Sequence, residues 1–158
     1  DDLVDWTYTG MGARSAANLD LETSGFELLA SRNWGSFQSI LGYGFLTKKE
    51  DYGNLTIDGS FYALNFPKHR FTLGLIWDAL DSLQVRVDNE WRDQHENSLR
   101  KGPSESFYSH LAASYYPAKF NDLELFLAYD KPWDEDFQDI PGTPGRGDQF
   151  SFGATYSW

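Results

Sequence analysis

The sequence predicts an all-β fold, an antiparallel transmembrane β-barrel of about eight strands. Three observations carry this. Segments of alternating polarity recur, each with one aromatic or aliphatic side and one small or charged side. Their connections alternate between short and long. Aromatic residues gather at both ends of the segments. Successive side chains on a strand point to opposite faces, so each segment presents one apolar and one polar ribbon.

Leu3–Tyr8 and Thr23–Arg32 are the first two segments and the weakest. In Phe37–Phe45, Phe37, Leu41, Tyr43 and Phe45 oppose Gln38, Gly42 and Gly44. Arg70–Asp78 sets Phe71, Leu73, Leu75 and Trp77 against Arg70, Thr72, Gly74 and Asp78. The clearest is Leu83–Arg92, where Leu83, Val85, Val87 and Trp91 oppose Gln84, Arg86, Asp88, Glu90 and Arg92. Phe107–Tyr115 repeats the pattern, and Leu123–Tyr129 turns Leu123, Leu125, Leu127 and Tyr129 one way. The final segment, Gln149–Trp158, carries Phe150, Phe152, Ala154, Tyr156 and Trp158 on one side. Its other side is Gln149, Ser151, Gly153, Thr155 and Ser157. A soluble sheet would bury such an apolar side against a second layer, whereas a membrane barrel turns it to lipid.

The connections favour the barrel. Asn33–Gly35, Asp78–Ser82 and Pro117–Asp122 are short, while Thr9–Asp20, Thr47–Asn65, Asp93–Ser106 and Lys131–Asp148 are long and polar. Outer-membrane barrels have short periplasmic turns and longer extracellular loops, and one register places every short turn on the side of Trp158. An aromatic girdle is expected at each membrane interface. Trp34, Trp77, Tyr115 and Trp158 fall at the short-turn end, and Tyr43, Phe45, Trp91, Tyr129 and Trp133 at the long-loop end.

Composition sets outer bounds. The chain has 158 residues, 17% of them aromatic, and a formal net charge of −11 with scattered Lys and Arg, so no nucleic-acid partner is expected. The absence of cysteine excludes a disulfide framework and a Cys-ligated metal site. No apolar run approaches the ~18–20 residues of a membrane helix. With no leader-like segment ahead of Asp1, the sequence reads as mature, processed or partial.

Residues with chemical potential are few, and no catalytic, cofactor-binding or metal-binding residue is assigned. His69 reads as a rim residue, and His95 as part of the polar loop Asp93–Ser98. Ser109 and His110 are strand neighbours that face opposite sides, so they form no nucleophile–base pair. The acidic run Trp133–Asp139 lacks the spacing of a calcium loop and reads as solvated. Ile140–Gly147, rich in Pro and Gly, reads as an ordered outer turn rather than a phosphate loop, since no helix follows it. Glu27, Arg70, Arg86, Asp88, Glu90, Glu124 and Asp130 form a lumenal set of mixed sign, expected to pair internally.

The stretch Tyr129–Trp158, with Pro-Gly-Thr-Pro-Gly-Arg ahead of an aromatic-terminated strand, resembles the C-terminus of a TonB-dependent outer-membrane receptor. Asp2–Trp6, Ala17–Leu28 and Tyr62–Phe71 resemble the same family. Lys131 departs from a usual Asn, and Asp148 from a usual basic or polar residue. Receptors of this kind have roughly 22 strands around a plug. The resemblance therefore implies that residues 1–158 are the C-terminal portion of the larger barrel, with no plug domain.

It further implies uptake of a nutrient such as an iron–siderophore complex or cobalamin, without enzymatic activity or a cofactor. The implied partners are outer-membrane lipid, the remaining barrel strands and plug (in the same or another chain), and TonB through that plug. The barrel assembly machinery and a small-molecule or metal-chelate ligand complete the set. Through the family, Phe150, Phe152, Tyr156 and Trp158 are the outer-membrane assembly signal. The implied location is the bacterial outer membrane, with a periplasmic C-terminus and extracellular long loops. A split-receptor piece, a self-contained eight-stranded barrel of structural or adhesive role, and a soluble β-sandwich binder are the alternatives.

Overall fold

Alternating segments become strands wherever their backbone groups find a neighbour, and here most find it in the strand next in sequence. A computed structural model describes residues 3–10, 12–120 and 122–157, and contains no helix among them. The strands are β1 (Leu3–Tyr8), β2 (Ser15–Trp34), β3 (Phe37–Asp51), β4 (Gly59–Ser60), β5 (Pro67–Leu80), β6 (Leu83–Gln94), β7 (Glu105–Tyr115), β8 (Leu123–Pro132) and β9 (Gln149–Tyr156). They form a nine-stranded sheet in the order β4-β1-β2-β3-β5-β6-β7-β8-β9, antiparallel at every pairing.

Three differences from the expected about eight-stranded barrel stand out. The sheet is open: its hydrogen-bonded order starts at β4 and stops at β9, and no pairing joins β9 to β2 among the described residues. The segments expected as loops at Thr9–Asp20 and Thr47–Asn65 are partly strand. Asp20 to Ser24 of β2 pairs with Asp51 to Thr47 of β3, carrying both strands beyond the last aromatic pair. Finally, β1 is no wall strand in the described chain. It pairs with residues 15–19 of β2 and with the added two-residue β4, which local patterning is too short to reveal.

Short turns close one end of the sheet. Gly35 adopts φ 65° in the tight β2–β3 turn, a left-handed conformation that other residues rarely take. The β5–β6 turn at residues 81–82 and the β7–β8 turn lie at the same end. Long loops spanning residues 52–66, 95–104 and 133–148 occupy the other end.

The buried apolar core sits in this long-loop layer. Ala17, Leu19, Phe61, Ala63, Phe66 and Phe137 are its buried hydrophobic members among the described residues. Asp5, 1% exposed, organises it: one carboxylate takes hydrogen bonds from Ser60 Oγ, Tyr52 OH at 3.3 Å, and the Tyr62 and Ala63 amides at 3.3 and 3.1 Å. A buried carboxylate is tolerated because its lone pairs are satisfied.

Candidate functional site

Beyond that layer the strands of the sheet have no second layer among the described residues. Cross-strand register aligns the apolar sides of β2, β3, β5, β6, β7, β8 and β9 into one surface. Leu28 lies opposite Tyr43, which lies opposite Phe71, which lies opposite Trp91, which lies opposite Phe107. Further along, Leu75 pairs with Val87, Val87 with Leu111, Leu111 with Tyr129 and Tyr129 with Phe150. Leu28, Phe71, Leu75, Phe107, Leu111, Tyr129 and Phe150 are exposed, and Tyr43, Val87 and Trp91 are half-buried. An apolar surface of this breadth is a site in itself, because soluble proteins rarely expose large contiguous patches.

Its two borders are aromatic. At the short-turn end Trp34 pairs with Phe37 and Phe37 with Trp77. The Phe37 and Trp77 rings stack 5.5 Å apart. Tyr115 and Tyr156 continue that end on β7 and β9. At the long-loop end Phe26 contacts both Tyr43 and Phe45 at 5.9 Å. Phe107 contacts Trp133 at 6.3 Å, and the Trp133 indole N–H donates to Ser109 at 3.0 Å. Trp34, Trp77, Tyr115, Tyr129 and Trp133 are all exposed on this surface, and Trp91 is half-buried. Phe150, Phe152 and Tyr156 are exposed on the last strand, while Trp158 lies outside the described residues.

The opposite face holds the expected mixed charges, and pairs Arg70, Arg86, Asp88, Glu90 and Asp130 of them. Arg70 binds Glu90 at 2.5 Å, and Arg86 binds Asp88 at 2.6 Å. His110 Nδ1 lies 2.7 Å from Asp130, which also accepts from the Tyr108 hydroxyl. Ser109 turns away to the apolar side, where it donates to Asn89 at 2.8 Å. The Tyr116 hydroxyl donates to Glu124 at 3.4 Å. His69 is a rim residue, bonded to Tyr43 OH at 2.9 Å, and His95 stacks on Phe66 at 5.0 Å.

Where this face meets the long loops, a cleft of about 300 Å³ opens among Arg70, Glu90, Arg92, Tyr108, Asp139 and Arg146. Its charges alternate. Glu90 lies 3.7 Å from Arg92, Arg92 binds Asp139, and Asp139 binds Arg146 at 2.6 Å. Arg92 and Arg100 both lie over the Phe137 ring, at 4.7 and 5.6 Å. Arg100 joins three loops by donating to Asn65 at 2.6 Å, His95 O at 3.2 Å and Gln138 O at 3.3 Å. Burial, and then the neighbouring Arg92, pushes the Arg100 guanidinium below its usual value against the pull of Asp139. Arg146 is largely exposed, and the cleft sets three arginines against three carboxylates, Glu90, Asp134 and Asp139.

The acidic run at residues 133–139 is therefore anchored rather than merely solvated. Phe137 is buried, Asp139 bridges two arginines, and Asp134 accepts from the Phe107 amide at 3.1 Å. Gly145 passes so close to the Glu135 carbonyl that a Cβ there would collide with it, which accounts for a glycine in that turn. Arg92, Arg100, Asp139 and Arg146 were not among the expected lumenal charges. The one local signal was Arg92 on the polar side of β6; the other three meet it only through loop folding. Among the described residues no group of three or more His, Asp or Glu is placed to hold a metal ion.

Compared with protein-family models, curated proteins and solved structures, the chain matches none. Geometry and residue chemistry therefore carry its functional reading.

Proposed function

We propose that the chain forms part of the wall and outer loops of an outer-membrane nutrient-uptake receptor of the TonB-dependent type. The observation that carries this reading is the largely apolar surface across seven neighbouring strands, bordered by aromatics at both ends and backed by a polar face of mixed charge. Water has no favourable interaction with such a surface, whereas hydrocarbon does, and the aromatic rows suit the two interfaces.

The dimensions agree. From Phe107 to Tyr115 on β7 the strand advances ~27 Å at ~3.4 Å per residue. A tilt of about 40° projects this to ~21 Å, close to the ~25 Å apolar band of outer-membrane barrels. In this reading the short turns and the last strand's end are periplasmic, and the loop layer faces outward. Phe150, Phe152 and Tyr156 then serve both as lipid contacts and as the strand read by the assembly machinery. The cleft of mixed charge below the loops fits a small polar or metal-chelate ligand, gathered outside and handed inward without covalent chemistry.

The test is fluorescence of the full chain refolded with phospholipid vesicles brominated at defined acyl depths. Trp34, Trp77, Trp91 and Trp133 are expected to be quenched most by bromine near the headgroups. Unquenched emission, together with a monodisperse chain in detergent-free buffer, would overturn the reading.

A further inference from the structure

Resting on the membrane-wall reading, we infer that a polar ledge on the lipid side of β6, β7 and β8 binds one lipid with an uncharged, hydroxyl-rich sugar headgroup. The ledge is an exception within the apolar face. One cross-strand row runs Leu41, Leu73, Asn89, Ser109, Lys131, so it turns polar at β6 and stays polar to β8. The row on its short-turn side is Val87, Leu111, Tyr129 and Phe150. The row on its loop side is Phe71, Trp91 and Phe107. Polar side chains thus lie between two apolar rows.

Hydrogen bonds join most of the row. Ser109 Oγ donates to Asn89 Oδ1 at 2.8 Å and accepts from the Trp133 indole N–H at 3.0 Å. Lys131 Nζ donates to Asp148 at 2.9 and 3.1 Å, and the Tyr129 hydroxyl donates to the same carboxylate at 2.6 Å. The amide hydrogens of Asn89 have no acceptor among the described residues, and its partner across β5 is Leu73. An amide N–H left unpaired against hydrocarbon is costly, so the lipid seated there has to bring an acceptor.

Polarity rises along the row, from Leu41 and Leu73 through neutral Asn89 and Ser109 to charged Lys131 and Asp148. Strands tilted by about 40° and spaced ~4.8 Å apart lift a row by ~3 Å at each step. Three steps, from Asn89 to Asp148, lift it ~9 Å, the distance from a lipid's acyl linkage to its headgroup. Asn89 therefore meets the linkage carbonyls, while Lys131, Asp148 and the exposed Trp133 meet the headgroup. Charge then selects that headgroup. Lys131 faces Asp148 and, at 3.9 Å, Glu135, one cation against two carboxylates. A phosphate would be repelled, and a quaternary ammonium would compete with Lys131 for both carboxylates. Sugar hydroxyls donate to the carboxylates and accept from the ammonium, and the apolar side of a sugar ring covers the Trp133 indole.

Two photoactivatable lipids test the site, a diglucosyl diacylglycerol and a phosphatidylcholine, each with a diazirine beside its acyl linkage. Each is a minor component of phosphatidylcholine vesicles holding the full chain, and labelled residues are mapped by mass spectrometry. The glycolipid is expected to label residues 107–111 and 129–133 about tenfold more than residues 26–30 and 41–45. The phosphatidylcholine probe is expected to label both regions evenly. Asn89→Leu and Trp133→Leu, each tested alone, are expected to even out the glycolipid pattern. Even labelling by the glycolipid in the native chain, an equal enrichment with phosphatidylcholine, or an enrichment unchanged in both variants would overturn the inference. Phosphatidylcholine labelling of residues 26–30 and 41–45 shows separately that each chain is embedded. Its absence from the native chain would overturn the membrane reading, and this inference with it.

Discussion

Phe37 and Trp77 lie face to face on adjacent strands, their ring planes inclined by 1°, yet Phe37 is 49% and Trp77 43% exposed. A stacked aromatic pair on an uncovered surface makes sense when another medium supplies the missing contacts. The pair sits in the row that ends the apolar face at the short turns. Its rings are coupled by an arrangement worth about 0.5–1.5 kcal/mol beyond area burial. A double-mutant cycle with Phe37→Ala and Trp77→Ala, measured by urea unfolding from vesicles, is expected to return a coupling of that size.

The centre of the same face gives a sharper contrast. Leu75 and Val87 pair directly, midway between the aromatic rows. Leu75→Arg is expected to destabilise the vesicle-bound chain by about 2–4 kcal/mol, the cost of a cation near the bilayer midplane. Ser114→Arg, on the polar side of β7, is expected to cost far less. Unfolding titrations of the two variants in vesicles check the difference.

The loop layer depends on Asp5. Asp5→Ala removes the acceptor for two backbone amides and two hydroxyls, and leaves the amides unsatisfied. A local loss of about 2–4 kcal/mol is expected. Protease cleavage within residues 52–66 should accelerate, while the strands embedded in vesicles remain protected.

Asp139 ties the longest loop to the wall through Arg92 and closes that loop on itself through Arg146. Asp139→Asn keeps the shape and removes the charge. It is expected to weaken the loop's attachment by about 1–3 kcal/mol, seen as faster proteolysis within residues 133–148.

Tyr52 makes the alkaline limit predictable. Burial raises its phenol above the ordinary value of 10.0, with Asp5 adding to the effect and a Ser60 hydrogen bond opposing it. The folded state thus holds the proton more tightly than the unfolded state. The corresponding stability is complete below pH about 10 and is lost as pH climbs through the folded value. Tyr52→Phe should flatten the alkaline decline of loop-layer protection, followed by proteolysis from pH 9 to about 12.

Most of the strand pattern was legible because alternation is local. Leu83 to Arg92 declares both faces of β6 within one segment, and every cross-strand pair then inherits the same division. The short turns were legible for the same reason. The placement of β1 was not, since its partner lies in residues 15–19, a stretch of small and polar residues that reads as loop. The cleft was legible only along the polar sides of its strands, at Arg70, Glu90 and Arg92. Asp139 and Arg146 join it from a loop, and no local periodicity announces their pairing. Closure was equally out of reach, because alternation specifies faces and says nothing about what meets a free edge.

A nitroxide scan along β6, one cysteine at a time from Leu83 to Gln94, tests the central claim most directly. In vesicles, oxygen collisions should peak at Val85, Val87 and Trp91, and collisions with a water-soluble nickel chelate at Arg86, Asp88 and Glu90. If Val85, Val87 and Trp91 are instead shielded from both reagents, a protein layer covers that face, and the membrane-wall account is wrong.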